Sequence, residues 1–182
     1  GQAGGQAVAE VLFGDYNPAG KLPLTFYRNL AQIPDFEDYN MTGRTYRYMK
    51  ETPLFPFGHG LSYTTFKYGK LKMNDDKIAV GQNLNLVIPV TNTGSRDGDE
   101  VVQVYLKKMD DTEGPVKTLR AFKRVRIPAG KTVEVKFSLD DTQLEWWDEQ
   151  SNTMRVCPGN YTVMIGGTSC EKSLLSRAFT IR

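Results

Sequence analysis

His59 is the only histidine in 182 residues, and it lies between two glycines in Pro53-Leu-Phe-Pro-Phe-Gly-His-Gly-Leu-Ser-Tyr-Thr-Thr-Phe66. A catalytic imidazole needs a nucleophile or a carboxylate beside it, and the local sequence supplies neither. His59 therefore reads as a hydrogen-bonded structural residue. Three acidic groups, Asp97-Gly-Asp-Glu100, Asp110-Asp-Thr-Glu113 and Asp140-Asp141, hold carboxylates close enough to consider calcium binding or glycoside chemistry. None has EF-hand spacing and all fall in expected loops, so solvated turns are the favoured reading. Cys157 and Cys170 are too few for a disulfide framework or a zinc site. The strand-like run Tyr161–Ile165 should hold them apart as free thiols. Gly1-Gln-Ala-Gly-Gly lacks the Lys-Ser/Thr of a phosphate loop. The expectation is no catalytic, cofactor-binding or metal-ligating residue, and no cofactor.

Aromatic residues offer a different chemistry. Trp146-Trp147 could stack on a sugar; adjacent strand residues face opposite ways, so one is expected in the core and the other capping it. In Thr42-Gly-Arg-Thr-Tyr-Arg-Tyr48 the alternation expected of a strand would set Tyr46 and Tyr48 on one side and Arg47 on the other. That segment reads as a clamp between domains, with a ligand-facing loop as the alternative.

The elements that would carry these residues fall into two kinds. Residues 1–13 read as a helix rich in small residues, with Val8, Val11 and Leu12 on one face and Gly14 as its C-cap. Leu22–Phe26 reads as a short strand, with Pro23 at its edge or start. One helix and one strand cannot make a core. The stretch 53–66 is too rich in proline and glycine for regular structure and too apolar for a solvated linker, so it reads as a packed seam. From Phe66 onward short alternating runs recur between turn signals: Phe66–Met73, Leu84–Val90, Val101–Leu106, Leu119–Ile127, Val133–Leu139, Met154–Val156, Tyr161–Ile165 and Ala178–Ile181. The fold class expected is mainly β, an immunoglobulin-like (fibronectin type III-like) sandwich. The division expected is 1–64 and 65–182.

With 23 basic and 21 acidic residues the net charge is +2, which gives no electrostatic case for nucleic acid or an anionic membrane. The longest apolar runs fall short of a membrane helix. The chain starts at Gly1 without an initiator methionine, so its true N-terminus is expected upstream and the lack of a targeting signal carries no weight.

The segments 1–26, Gly43-Arg-Thr-Tyr-Arg-Tyr48 and 53–66, followed by Val90-Thr-Asn-Thr-Gly94, Asp99-Glu-Val-Val-Gln-Val-Tyr105, Leu119-Arg-Ala-Phe-Lys-Arg-Val125 and Pro158-Gly-Asn-Tyr-Thr-Val-Met-Ile-Gly166, resemble in order and spacing the C-terminal part of glycoside hydrolase family 3. That family includes β-glucosidases and β-xylosidases. The resemblance implies that residues 1–64 are the last helix, strand and connector of an α/β sandwich domain, and that a fibronectin type III-like domain follows. It also implies a retaining, exo-acting parent whose nucleophilic aspartate lies in a barrel and whose acid/base glutamate lies upstream in the α/β sandwich. Neither carboxylate maps onto a residue here, so this chain is expected to be inactive alone. Its expected partners are the barrel and α/β sandwich domains, with β-linked oligosaccharides or glycosides as the parent's substrates. A secreted or periplasmic parent is implied. Three competing roles stay open: self-association through residues 1–64, an adhesion or oligomerisation sandwich, and a carbohydrate-binding module using Trp147, Tyr105 or the Tyr46/Tyr48 loop. The helix and Leu22–Phe26 are expected to pack on the sandwich or on a neighbouring chain.

Overall fold

A computed structural model describes residues 2–182, so the first residue of the expected helix, Gly1, lies outside the described residues. Helix α1 spans Gly4–Phe13 and ends at Gly14, whose φ of 83° is the left-handed cap that glycine adopts freely. A 3-10 turn follows at Leu30–Gln32, then the single helical turn α2 at Thr45–Tyr48. α2 replaces the expected strand alternation of Tyr46 and Tyr48. With about 3.6 residues per turn the two rings diverge instead of sharing a side.

The sandwich begins with β1 (Phe66–Tyr68), β2 (Lys72–Met73) and β3 (Lys77–Ile78). It continues with β4 (Leu84–Asn92), β5 (Gly98–Lys108), β6 (Thr118–Ile127) and β7 (Thr132–Leu139). The turn α3 (Asp141–Leu144), the ribbon β8 (Trp146–Asp148) and β9 (Thr153–Arg155), and the long strands β10 (Gly159–Gly166) and β11 (Leu175–Ile181) complete it. In one sheet β4 is central, with β7 along one edge and β1 and β2 along the other. The second runs β3-β11-β10-β5-β6. The expected strand Phe66–Met73 is split in two at Gly69, where an added Cβ would lie 2.7 Å from the Pro89 ring. β3 and β8 are too short to show a period, and sequence alternation does not reveal them.

Alternation fixes the core. Leu84, Leu86, Ile88 and Val90 of β4 face Val102, Val104 and Leu106 of β5 and Val163 and Ile165 of β10, all fully buried. Tyr161 stacks on Phe179 with ring centroids 5.5 Å apart and donates its hydroxyl to the Cys157 carbonyl at 2.7 Å. Buried Asn92 is fully paired. Its Nδ2 donates to the carbonyls of Arg96 (2.7 Å) and Ile127 (2.9 Å), while Oδ1 accepts from Thr64 Oγ1 and the Gly94 N–H. The sequence alone marks it only as part of a turn.

Leu22–Phe26 is not a strand. Leu22 exchanges backbone hydrogen bonds with residues 58 and 59, and Phe26 does so with 54 and 55, leaving one isolated bridge at Phe26 and Phe55. Pro23 and Pro56 withhold the donors a continuous ladder requires.

Candidate functional site

The seam between residues 1–64 and the sandwich is built from both sides. On the sandwich side, Glu100 of β5 is in phase with Val102 and buried, not in a solvated loop as its acidic neighbourhood suggested. Its Oε1 accepts the Tyr68 hydroxyl at 2.8 Å, and its Oε2 lies 3.2 Å from the Lys21 ammonium. Burial first, and the adjacent Glu100 charge second, push the Tyr68 hydroxyl far above the ordinary phenol range, so it stays a donor. Lys21 comes from the turn after α1, so this buried pair joins the two parts of the chain.

Beside it, Gly58 has φ 77°, and an added Cβ would lie 2.2 Å from Gln103 Oε1. Only glycine lets the backbone approach this closely. Gln103 and Tyr105 have the opposite parity to the core residues of β5, yet both are buried because the connector covers them. Tyr46 stacks on Phe57 at 4.4 Å, turns its edge to Tyr105 at 5.8 Å, and accepts the Leu119 N–H at 3.1 Å. The Phe57 carbonyl accepts from Ser169 N–H and Thr168 Oγ1. Asn17 donates to the Asp97 carbonyl at 2.9 Å and accepts from Ser62 and Tyr63. These contacts agree with the clamp reading of Tyr46 and exclude Tyr105 as an exposed platform.

His59 sits in this seam, but its role differs from expectation. Its backbone pairs with Leu22 and Pro56, whereas its imidazole makes no side-chain hydrogen bond among the described residues and stacks on Phe55 at 4.9 Å. Phe55 supplies a flat apolar face, so the ring is held by contact alone.

The acidic groups are mostly structural. Asp99 pairs with Arg124 at 2.7 Å, Asp97 accepts the Ala129 N–H and pairs with Arg126, and Asp140 caps α3. Asp111 holds the Trp146 indole N–H and the Gly114 N–H, both at 2.7 Å. Trp146 is buried and Trp147 is 49% exposed, the division that strand geometry implies. Cys157 and Cys170 are free thiols, as their placement around β10 suggested.

Trp147 and Tyr48 lie on a cleft of about 660 Å³ between the 108–115 loop, β8 and α2. Arg120 also lines it, its guanidinium 5.1 Å from the Trp146 ring and its terminal nitrogen donating to the Glu145 carbonyl at 2.7 Å. Burial first, and secondarily repulsion from Arg47, which lines the same cleft, lower the pKa of Arg120.

The opposite property marks residues 1–64. Of 21 large hydrophobic residues exposed among the described residues, 15 lie there, whereas Ala19 alone contributes to the buried hydrophobic set. Val8, Leu12 and Phe13 of α1 are exposed, Phe13 to 84%. α1 does not bury its apolar face on the sandwich as one expectation held; polar tethers secure it, Tyr63 to the Val11 carbonyl (2.7 Å) and Arg96 to the Gly14 carbonyl. Sequence periodicity announced the apolar face. Only Glu100's phase with Val102 hinted at the Lys21–Glu100–Tyr68 group, and nothing local pointed to Lys21.

Known proteins resemble the chain over both of its parts. Residues 1–63 match the glycosyl hydrolase family 3 C-terminal domain, and residues 100–169 match the fibronectin type III-like domain. The chain is 51% identical to a xylan 1,4-beta-xylosidase of Xylanibacter ruminicola, covering 100% of this chain and 21% of that protein. It is 38% identical to a periplasmic beta-glucosidase of Salmonella typhimurium, covering 94% of this chain and 24% of the relative. The chain thus spans less than a quarter of the length of either. The solved structure of a β-glucosidase from Erythrobacter marinus superposes with a TM-score of 0.82 at 37% identity, over 98% of this chain and 24% of that one.

Proposed function

Because this chain belongs to glycoside hydrolase family 3, as the C-terminal part of such an enzyme, we propose that its task is structural. It docks onto the upstream catalytic portion of a retaining, exo-acting β-glycosidase of the β-xylosidase or β-glucosidase type, and does no glycosidic chemistry itself. The observation that carries this reading is the asymmetry of burial. A sandwich with its own buried core holds, through a buried ion pair and stacked rings, a connector whose large apolar side chains are mostly exposed. Exposed apolar surface of this kind belongs at an interface. The sandwich supplies the rigid base, and residues 1–64 supply the docking face. On this reading the domain boundary falls at 64–65, just before β1.

The test is assembly in trans. The upstream portion of the enzyme, expressed separately, should co-elute with this chain on size exclusion and gain turnover of an aryl β-xyloside or β-glucoside. Leu12→Asp with Phe13→Asp should abolish both while leaving the thermal midpoint of the chain unchanged. Self-association of this chain through the same face, with no binding to the upstream portion, would overturn the proposal.

A further inference from the structure

The cleft beneath Trp147 is lined by the sandwich and by Arg47 and Tyr48 of the connector, and it includes none of the exposed apolar residues of α1 assigned above to docking. Its volume of about 660 Å³ falls within the range of small-ligand sites. Four buried side-chain polar atoms lack a hydrogen-bond partner among the described residues, and three of them, Arg47 Nε, Thr118 Oγ1 and Arg120 Nε, belong to residues lining this cleft. Unpaired buried polar atoms are rare in native proteins, and each calls for a partner such as a water, an ion or a ligand. Trp147 offers an indole at the rim while its neighbour Trp146 is locked below by Asp111. Glu113 makes no hydrogen bond among the described residues and stands exposed on the same cleft as Arg47 and Arg120.

We propose that this cleft is a non-catalytic binding site for a neutral oligosaccharide. Trp147 stacks on the apolar face of a sugar ring, and Arg47, Arg120 and Glu113 engage its hydroxyls. A hydroxyl both donates and accepts, so one ligand can serve guanidiniums and a carboxylate together. An anionic ligand fits less well, because five carboxylates line the cleft against three cationic side chains. Arg47 and Tyr48 come from the connector, so the site is complete only when the connector is docked on the sandwich. The proposal stands on the cleft geometry; only the choice of β-linked xylose and glucose probes rests on the function proposed above.

Titration of this chain with xylotetraose and with cellotetraose, followed by NMR, tests it. At least one sugar should give saturable shifts that include the Trp147 indole and the Thr118 and Arg120 amides. Trp147→Ala should weaken binding tenfold or more, whereas Phe122→Ala, an exposed aromatic outside the cleft, should leave it unchanged. No saturable response to either sugar would overturn the proposal. So would shifts mapping elsewhere on the wild-type chain, undiminished binding by the Trp147 variant, or tighter binding of a uronate oligosaccharide than of its neutral counterpart. Failure here leaves the assembly experiment unaffected.

Discussion

Replacing Lys21 with methionine isolates the contact that fixes the connector on the sandwich. Methionine keeps the apolar stem and removes the charge, leaving Glu100 buried with Tyr68 as its remaining donor. At 3.2 Å and an effective dielectric of about 20, the ionic attraction is roughly 5 kcal/mol before desolvation. Stranding one member of a buried pair typically costs about 3–5 kcal/mol. The Lys21 side chain keeps 19% of its exposure against 7% for Glu100, so the lower end applies, ~3 kcal/mol. For a chain of this size that lowers Tm by about 6–12 °C. Glu100→Gln alone retains the Tyr68 bond and leaves Lys21 access to water, for a loss of about 1 kcal/mol. Adding it to Lys21→Met removes the stranded charge and should recover most of the loss. Urea denaturation of the wild type, both single variants and the double variant gives the coupling energy directly. A Lys21→Met loss below about 1 kcal/mol, the range of an exposed pair, or additive losses in the double variant, would refute the idea of a desolvated lock.

Two further stability measurements probe the same framework. Asn92→Ala strands the Thr64 hydroxyl, the Gly94 N–H and two carbonyls and should cost on the order of 3 kcal/mol by denaturant melt; a change within experimental scatter would show that Asn92 is not a keystone of the fold. Lys117 has its pKa lowered by burial, only partly opposed by Glu171 and Cys170. The unfolded chain therefore holds this proton more tightly, and stability should rise as pH climbs through the folded-state pKa toward the unfolded one near about 10.4. Lys117→Met should raise Tm at pH 7, with the gain shrinking as pH rises through that window; an unchanged Tm at pH 7 contradicts a desolvated ammonium.

The sandwich was legible because strands half buried in a core must alternate, and β4 and β7 do so over most of their length, while in β5 the connector buries Gln103 and Tyr105 on the other face as well. The boundaries moved outward by a few residues as ladder pairing continued past the apolar run. What failed to show were features fixed by contacts distant in sequence. Thr45–Tyr48 carries strand-like aromatics, but Tyr46 stacking on Phe57 and Val116 donating to the Arg47 carbonyl favour a helical turn. Glu100 reads as one of several solvated acids until Lys21 and Tyr68 arrive from 79 and 32 residues away. The cleft is likewise assembled from separate segments, and of these only Trp147 and the Tyr46/Tyr48 segment drew attention in the sequence. The exposed face of α1 was legible in its period, and what covers it is the question the assembly experiment answers.

In the role proposed here, this chain scaffolds a glycosidase without performing its chemistry. The most direct measurement is the turnover of 4-nitrophenyl β-xyloside and β-glucoside by the purified chain over a range of pH. A scaffolding role predicts release indistinguishable from the buffer blank. Turnover that is removed by a single carboxylate substitution in this chain, at Glu113 or Asp110 for instance, would contradict it.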